Sequence, residues 1–133
     1  MQLHNDPAMD PQIRRALARG HVIDITTTGR RSGKPRRIEI VFHNLGGRIY
    51  ISGTPRASHT RAWLRNLAAD PHLTFHLKRT VAADLPATAR IITDEAERRA
   101  VFTEIVKVWN GQDIEIMTRY SPLIEVTLDD LAA

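Results

Sequence analysis

A mainly β chain of the α+β kind, built as a small antiparallel barrel with helices packed on it, is what this 133-residue sequence predicts. Three observations carry that prediction. About six short runs alternate apolar and polar residues with the period of a strand. Glycine-containing turns join the first of these runs directly, as antiparallel hairpins do. The helical patterns fall between groups of strands, without the regular strand–helix–strand alternation of a doubly wound sheet.

Asp10 before Pro11 has the form of an N-cap followed by proline at the first helical position, and Ile13 and Leu17 then share a face until Gly20. From His21 the period becomes two: Ile23, Ile25 and Thr27 alternate with Asp24, Thr26 and Thr28. Gly29 to Pro35 is the turn. The next strand, Arg37 to His43, places Ile38, Ile40 and Phe42 inward. Gly46-Gly47 closes a hairpin onto Arg48 to Gly53, with Ile49 and Ile51 inward and Tyr50 outward. Thr54 to Ser58 reads as a loop, and His59 to Ala69 as a helix carrying Ala62, Trp63 and Leu67, ended by Asp70-Pro71. Strand Leu73 to Lys78 follows with Phe75 and Leu77 inward. Ala87 to Thr93 is expected as a fifth strand. Asp94 and Glu97 open a helix with Ala100, Val101, Ile105, Val108 and Trp109 on its apolar face. Pro122 to Leu128 makes the last strand. One domain, residues 1–133, accounts for the length, and no repeat or linker divides it.

Hydrophobic residues form 42% of the chain and charged residues 26%, which is ordinary for a globular protein and excludes a disordered one. Residues 1–12 lack the pattern of a signal peptide, and no apolar run is long enough to span a bilayer, so a cytoplasmic protein without stable membrane insertion is expected. With no cysteine, thiolate nucleophiles, disulfides and cysteine-based metal sites are excluded.

The net charge of +4 is local: Arg30 to Arg37 (RRSGKPRR) holds five cations and no acid. Arginine far outnumbers lysine, and its planar fork suits phosphate or carboxylate. Two glycines and Ser32 at a strand-end turn could cradle one anion; a nucleic acid, or a merely solvated basic hairpin, are the competing readings. A nucleotide P-loop is excluded, because only three residues separate Gly29 from Gly33 and Pro35 stands where a hydroxyl is needed. A dinucleotide fingerprint fails too, since a strand and not a helix follows the turn. Nucleic acid is disfavoured because the outward strand faces carry no set of aromatics for stacking. His72 and His76 on one strand lie about 13 Å apart, too far to share a metal. His59 is a loop histidine that could donate a proton, but no nucleophile–base pair emerges, and the catalytic residues stay unassigned. Glu39 follows the arginines on the opposite strand face from Ile38 and Ile40. It reads as a surface partner of an arginine or, more sharply, as a residue that positions a ring.

The stretch DITTTGRRSGKPRRIEIVFHNLGGRIYIS, followed by Trp63-x-x-Asn66-Leu67 and Asp70-Pro71, resembles the deazaflavin-dependent nitroreductase family of split β-barrels. The resemblance covers roughly residues 23–78. It implies a reductase that binds reduced coenzyme F420 in a groove and passes hydride to a small acceptor: a quinone, a nitroaromatic or another electron-poor compound. By position, Arg30, Arg31, Ser32 and Arg36 would hold the coenzyme's phosphate and acidic tail. Arg37, Ile38, Glu39, Ile40 and Val41 would line the ring, Ser52, Gly53 and Thr54 would touch it from the next strand, and Trp63 and Asn66 would close the groove. The sequence departs from the family at Val41, where a tyrosine is frequent, near Pro55 and Arg56, where a lysine is, and in Gln112 to Pro122, where Tyr120 is the one phenol. FMN in the same groove, or a carrier without turnover, are the alternatives. A homodimer burying a strand face is expected by analogy with other small barrels.

Overall fold

The alternating runs become six antiparallel strands in a computed structural model that describes residues 10–55 and 61–129. They are β1 (Val22–Thr28), β2 (Pro35–Leu45), β3 (Arg48–Ser52), β4 (His72–Leu77), β5 (Ala83–Ile91) and β6 (Leu123–Leu128). They close in the order β1-β2-β3-β6-β5-β4, with β4 returning to β1, the split β-barrel the sequence implied. Four helices accompany them: α1 (Pro11–Arg19), α2 (Ala62–Ala69), α3 (Glu95–Val108) and α4 (Ile114–Tyr120). None of the described helices is long and apolar enough to cross a membrane.

The local signals act as their chemistry dictates. Asp10, Asp94 and Asp113 each accept a hydrogen bond from a backbone N–H in the first turn of their helix, satisfying donors that the helix cannot. Gly46 and Gly47 adopt φ of +63° and +94°, which lets Leu45 pair with Arg48 across a two-residue turn. Asn44 on β2 donates to the carbonyl of Leu17 at 2.9 Å and so ties the end of α1 to the barrel.

Two cores result from the same alternation. Inside the barrel lie Ile23, Ile25, Phe42, Ile51, Phe75 and Ile124, each at most 1% exposed, with Phe42 and Phe75 edge to face at 5.1 Å. Outside it, α3 and α4 cover β3 and β6 through Tyr50, Val101, Phe102, Ile105, Met117 and Leu123.

Several expectations need correction. Tyr50 does point out of the barrel, but α3 buries it. The fifth strand begins at Ala83, because Pro86 sits opposite Thr74 within the ladder and does not end it. The face of α3 that packs is Val101, Phe102 and Ile105, while Ala100 is exposed and Val108 is 70% exposed. α4 was not expected: seven residues with little apolar periodicity give almost no sequence signal beyond the Asp113 cap. α2 is described from Ala62; residues 56–60, which include His59 and Arg56, lie outside the described residues.

Candidate functional site

The β1–β2 connection is a turn locked from within and from below. Gly29 N–H donates to the Lys34 carbonyl and Gly33 N–H to the Gly29 carbonyl, both at 2.8 Å. Ser32 Oγ accepts from Lys34 N–H at 3.1 Å. Gly29 is dictated by space, since a Cβ there would lie 2.6 Å from Ser32 Oγ and 3.1 Å from the Lys34 carbonyl. Gly33 is dictated by its φ of +70°.

From below, Asn66 of α2 holds the turn. Its side chain is 3% exposed, and its three hydrogen bonds are all within the protein. Oδ1 accepts from Arg30 N–H at 3.1 Å and from Arg30 Nη1 at 3.2 Å, and Nδ2 donates to Thr27 Oγ1 at 3.1 Å. The acceptor for Arg30 is thus neutral: the guanidinium is aimed without being neutralised.

These pieces wall a groove of about 570 Å³, ordinary for a ligand site. Its lining gathers Arg30, Arg31, Ser32, Arg36, Arg37, Ile38, Trp63 and Asn66 with Thr27, Gly29, Pro35 and Ala62. Among the described residues no carboxylate lines it. Among the described residues neither Arg31 nor Arg36 has an ion-pair partner. Arg37 is shared: its Nε donates to Asp24 at 2.9 Å. Asp24 also takes Lys78 Nζ at 2.6 Å, and the bond to Lys78 foremost, with Arg37, holds its carboxyl below the usual carboxylate range. A groove of about 510 Å³ between α3 and α4 is different in kind, because Glu95 and Glu115 stand among its arginines. The unmatched cations make the turn groove the candidate anion site.

The other residues expected from sequence fall elsewhere. Glu39 points outward and its partner is Lys78, at 2.6 Å, not an arginine. Ile40 packs half-buried on the barrel interior, and Val41 is exposed on the outer face. Ser52 is buried, with its hydroxyl donating to the Pro122 carbonyl at 2.6 Å. Gly53 and Thr54 meet a residue that sequence reasoning passed over: the Arg61 guanidinium rests on Gly53 and donates to the Thr54 carbonyl. Arg61 lies seven residues after its acceptor Thr54 and carries no motif that would announce the bond. His76, buried on β4, is held between Thr26 Oγ1 and Asp84 Oδ1 at 2.7 Å each, so it is not available to pair with His72.

Residues 3–128 match the sequence profile of the family described as F420H(2)-dependent quinone reductase. Solved structures share the fold. A conserved hypothetical protein from Mycobacterium tuberculosis superposes with a TM-score of 0.69 at 15% identity, over 100% of this chain and 94% of that one. An F420 reductase gives 0.65 at 16% identity, over 86% and 91% of the two chains. An F420-H2 dependent reductase gives 0.58 at 21% identity, over 80% and 93%.

Proposed function

Because the chain belongs to the F420H(2)-dependent quinone reductase family and is an oxidoreductase that uses coenzyme F420, we propose that the turn groove binds that coenzyme's phosphate and acidic tail and that a quinone, a nitroaromatic or a similar electron-poor compound is the acceptor. The observation that carries the proposal is the set of arginines facing a groove that, among the described residues, has no acid in its lining. Such a set favours a ligand with several negative charges, since Arg30, Arg31 and Arg36 have no acid beside them among the described residues. The residues present therefore fit the group. When bound, reduced F420 supplies the hydride; the protein supplies position and field.

Arg31 and Arg36 would bind the anionic groups directly, and Arg30 would do so in the direction that Asn66 sets. Trp63, 7% exposed, gives the groove a rigid apolar wall that excludes water from one side. Arg37, half committed to Asp24, would contribute less.

The test is a fluorescence titration of wild type and Arg31→Ala with F420, with FMN as control, followed by turnover against a panel of quinones and nitroaromatics. Wild type should bind F420 in preference to FMN. Arg31→Ala should lose about 1.5–3 kcal/mol of affinity, the worth of a charge-assisted contact. Equal affinity in wild type and variant would remove the turn from the site.

A further inference from the structure

We propose that Thr26 is a nucleophilic hydroxyl, activated by His76 and oriented through Asp84, that takes up an acyl group from a small activated ester. The site is separate from the turn groove and does not depend on the coenzyme. Strand alternation puts it on the outer face of the barrel: Ile25, Phe75, Leu77 and Leu85 fill the interior, so Thr26, His76 and Asp84 on the neighbouring strands β1, β4 and β5 point the other way. His76 stands opposite Asp84 in the β4–β5 ladder and opposite Asp24 in the β1–β4 ladder, which makes Thr26 its diagonal neighbour.

The three side chains form one run of hydrogen bonds. His76 Nδ1 lies 2.7 Å from Asp84 Oδ1, and His76 Nε2 lies 2.7 Å from Thr26 Oγ1. A carboxylate can only accept, so Nδ1 carries the proton of the neutral imidazole; Nε2 then has the lone pair, and the Thr26 hydroxyl donates to it. Nucleophile, base and orienting carboxylate thus stand in the order and at the separations that general-base activation of a hydroxyl needs. His76 is 7% exposed and held at both ring nitrogens. Its other charged neighbours are engaged elsewhere: Asp24 takes Arg37 and Lys78, and Lys78 bridges Asp24 and Glu39.

Thr26 is half-buried and lines a groove of about 340 Å³ together with Thr28, Thr74 and Pro86. Space of that size admits a small aromatic ester. In the transfer, Thr26 Oγ1 bonds to the acyl carbon while its proton passes to His76 Nε2; the bond from that carbon to the phenolate oxygen then breaks, and the imidazolium returns the proton to the leaving phenolate. Asp84 faces the imidazolium throughout and stabilises its charge. Nothing is oxidised or reduced. The amides around Thr26 are committed to ladders, since β1 and β4 each pair on both sides, and so give no oxyanion hole. Without one, the transfer is slow and water does not clear the ester quickly. The outcome is a lasting label on one threonine and not turnover.

The test incubates the folded protein, without coenzyme, with p-nitrophenyl acetate and follows the acetyl group by peptide mass spectrometry. Wild type should label Thr26 about tenfold or more faster than Thr28 and Thr74, which share its face but lack the imidazole. Thr26→Ser should label at least as fast, because the less hindered hydroxyl keeps the same base. His76→Gln should slow the labelling of Thr26 about a hundredfold, the worth of a general base, and Asp84→Asn about tenfold, since Asp84 acts through His76. A merely structural run of hydrogen bonds would lower Tm in these two variants and leave the labelling rate alone, and that result overturns the proposal. Label spread evenly over the three threonines of wild type overturns it as well. Should His76→Gln fail to fold, Asp84→Asn, a change at an exposed side chain, carries the same decision.

Discussion

On the helical side of the barrel, Arg90 bridges Glu97 and Glu125, Arg99 pairs with Glu115, and Arg98 is ringed by backbone carbonyls at the end of α4. At the β1–β2 turn, by contrast, Arg31 and Arg36 meet no acid among the described residues, and Arg30 meets the neutral amide of Asn66. One residue type is used in two ways. Arginines paired with acids, such as Arg90 and Arg99, present little net field, and Arg98 is spent on carbonyls inside the fold; Arg31 and Arg36 keep their charge for something that arrives from outside. Uncompensated positive charge, and not the bare count of arginines, is therefore what sets the proposed site apart.

Substitutions on the two sides should fail differently. The largest effect is expected for Arg98→Met, which removes three well-formed hydrogen bonds from partly buried carbonyls and a guanidinium over the Phe102 ring. Stability should fall by about 3 kcal/mol, roughly 10 °C in Tm by calorimetry, while F420 affinity of the folded protein stays the same. A variant that loses affinity and keeps its Tm would break the comparison.

Asn66→Asp sharpens it from the other side. The carboxylate is isosteric, keeps Arg30 in place and cancels its charge. F420 affinity should drop about tenfold with Tm moving by less than about 3 °C, since the buried charge keeps its partner. Undiminished affinity would show that the charge of Arg30 never reaches the ligand.

A smaller effect concerns pH. His43 on β2 stacks on Trp109 at the end of α3, and burial pushes its imidazole below the usual value of 6.5. A depressed group contributes stability that is complete above its unfolded pKa and is lost as pH falls from about 6.5 through the lower folded value. Tm should therefore decline across that window, and His43→Phe should flatten the decline. A wild-type Tm independent of pH between 7.5 and 5.5 would contradict the burial argument. The smallest effect belongs to Arg99→Ala, whose exposed pairing with Glu115 should shift Tm by no more than about 2 °C.

What the sequence disclosed followed from how local the cause was. Alternation over Ile23–Thr27 and Phe42 needs only neighbouring residues, and so do the Asp10 and Asp94 caps and the Gly46-Gly47 turn. The cationic turn was equally plain, because five of its eight residues from Arg30 to Arg37 say so alone. Hidden were features set by distant partners. Glu39 chose Lys78 because β4 pairs beside β1 and brings that lysine next to Asp24. Asn66 serves a turn thirty-six residues earlier in the chain, and nothing near it in sequence reports the use of its amide. Arg61 and Arg98 look like any surface arginine until the barrel closes. Tyr50 is outward by alternation and buried by α3, a helix more than forty residues away.

The closure of the barrel has a consequence for how the chain reaches its folded state. β3 and β6 pair Ile49 with Val126 and Ile51 with Ile124, so the sixth strand of the barrel completes an edge left by the third. Until Leu128 has emerged, β3 and β5 each offer an open ladder of unpaired amides to any neighbouring chain. Long-range pairing of this kind is slow relative to hairpin formation, because loop closure comes before the contacts that reward it. The β1–β2 hairpin with its arginine turn can assemble early and locally, whereas the closed barrel exists only at the end. The arginine turn would then precede the closed barrel in time, and aggregation risk would be concentrated in the interval between them.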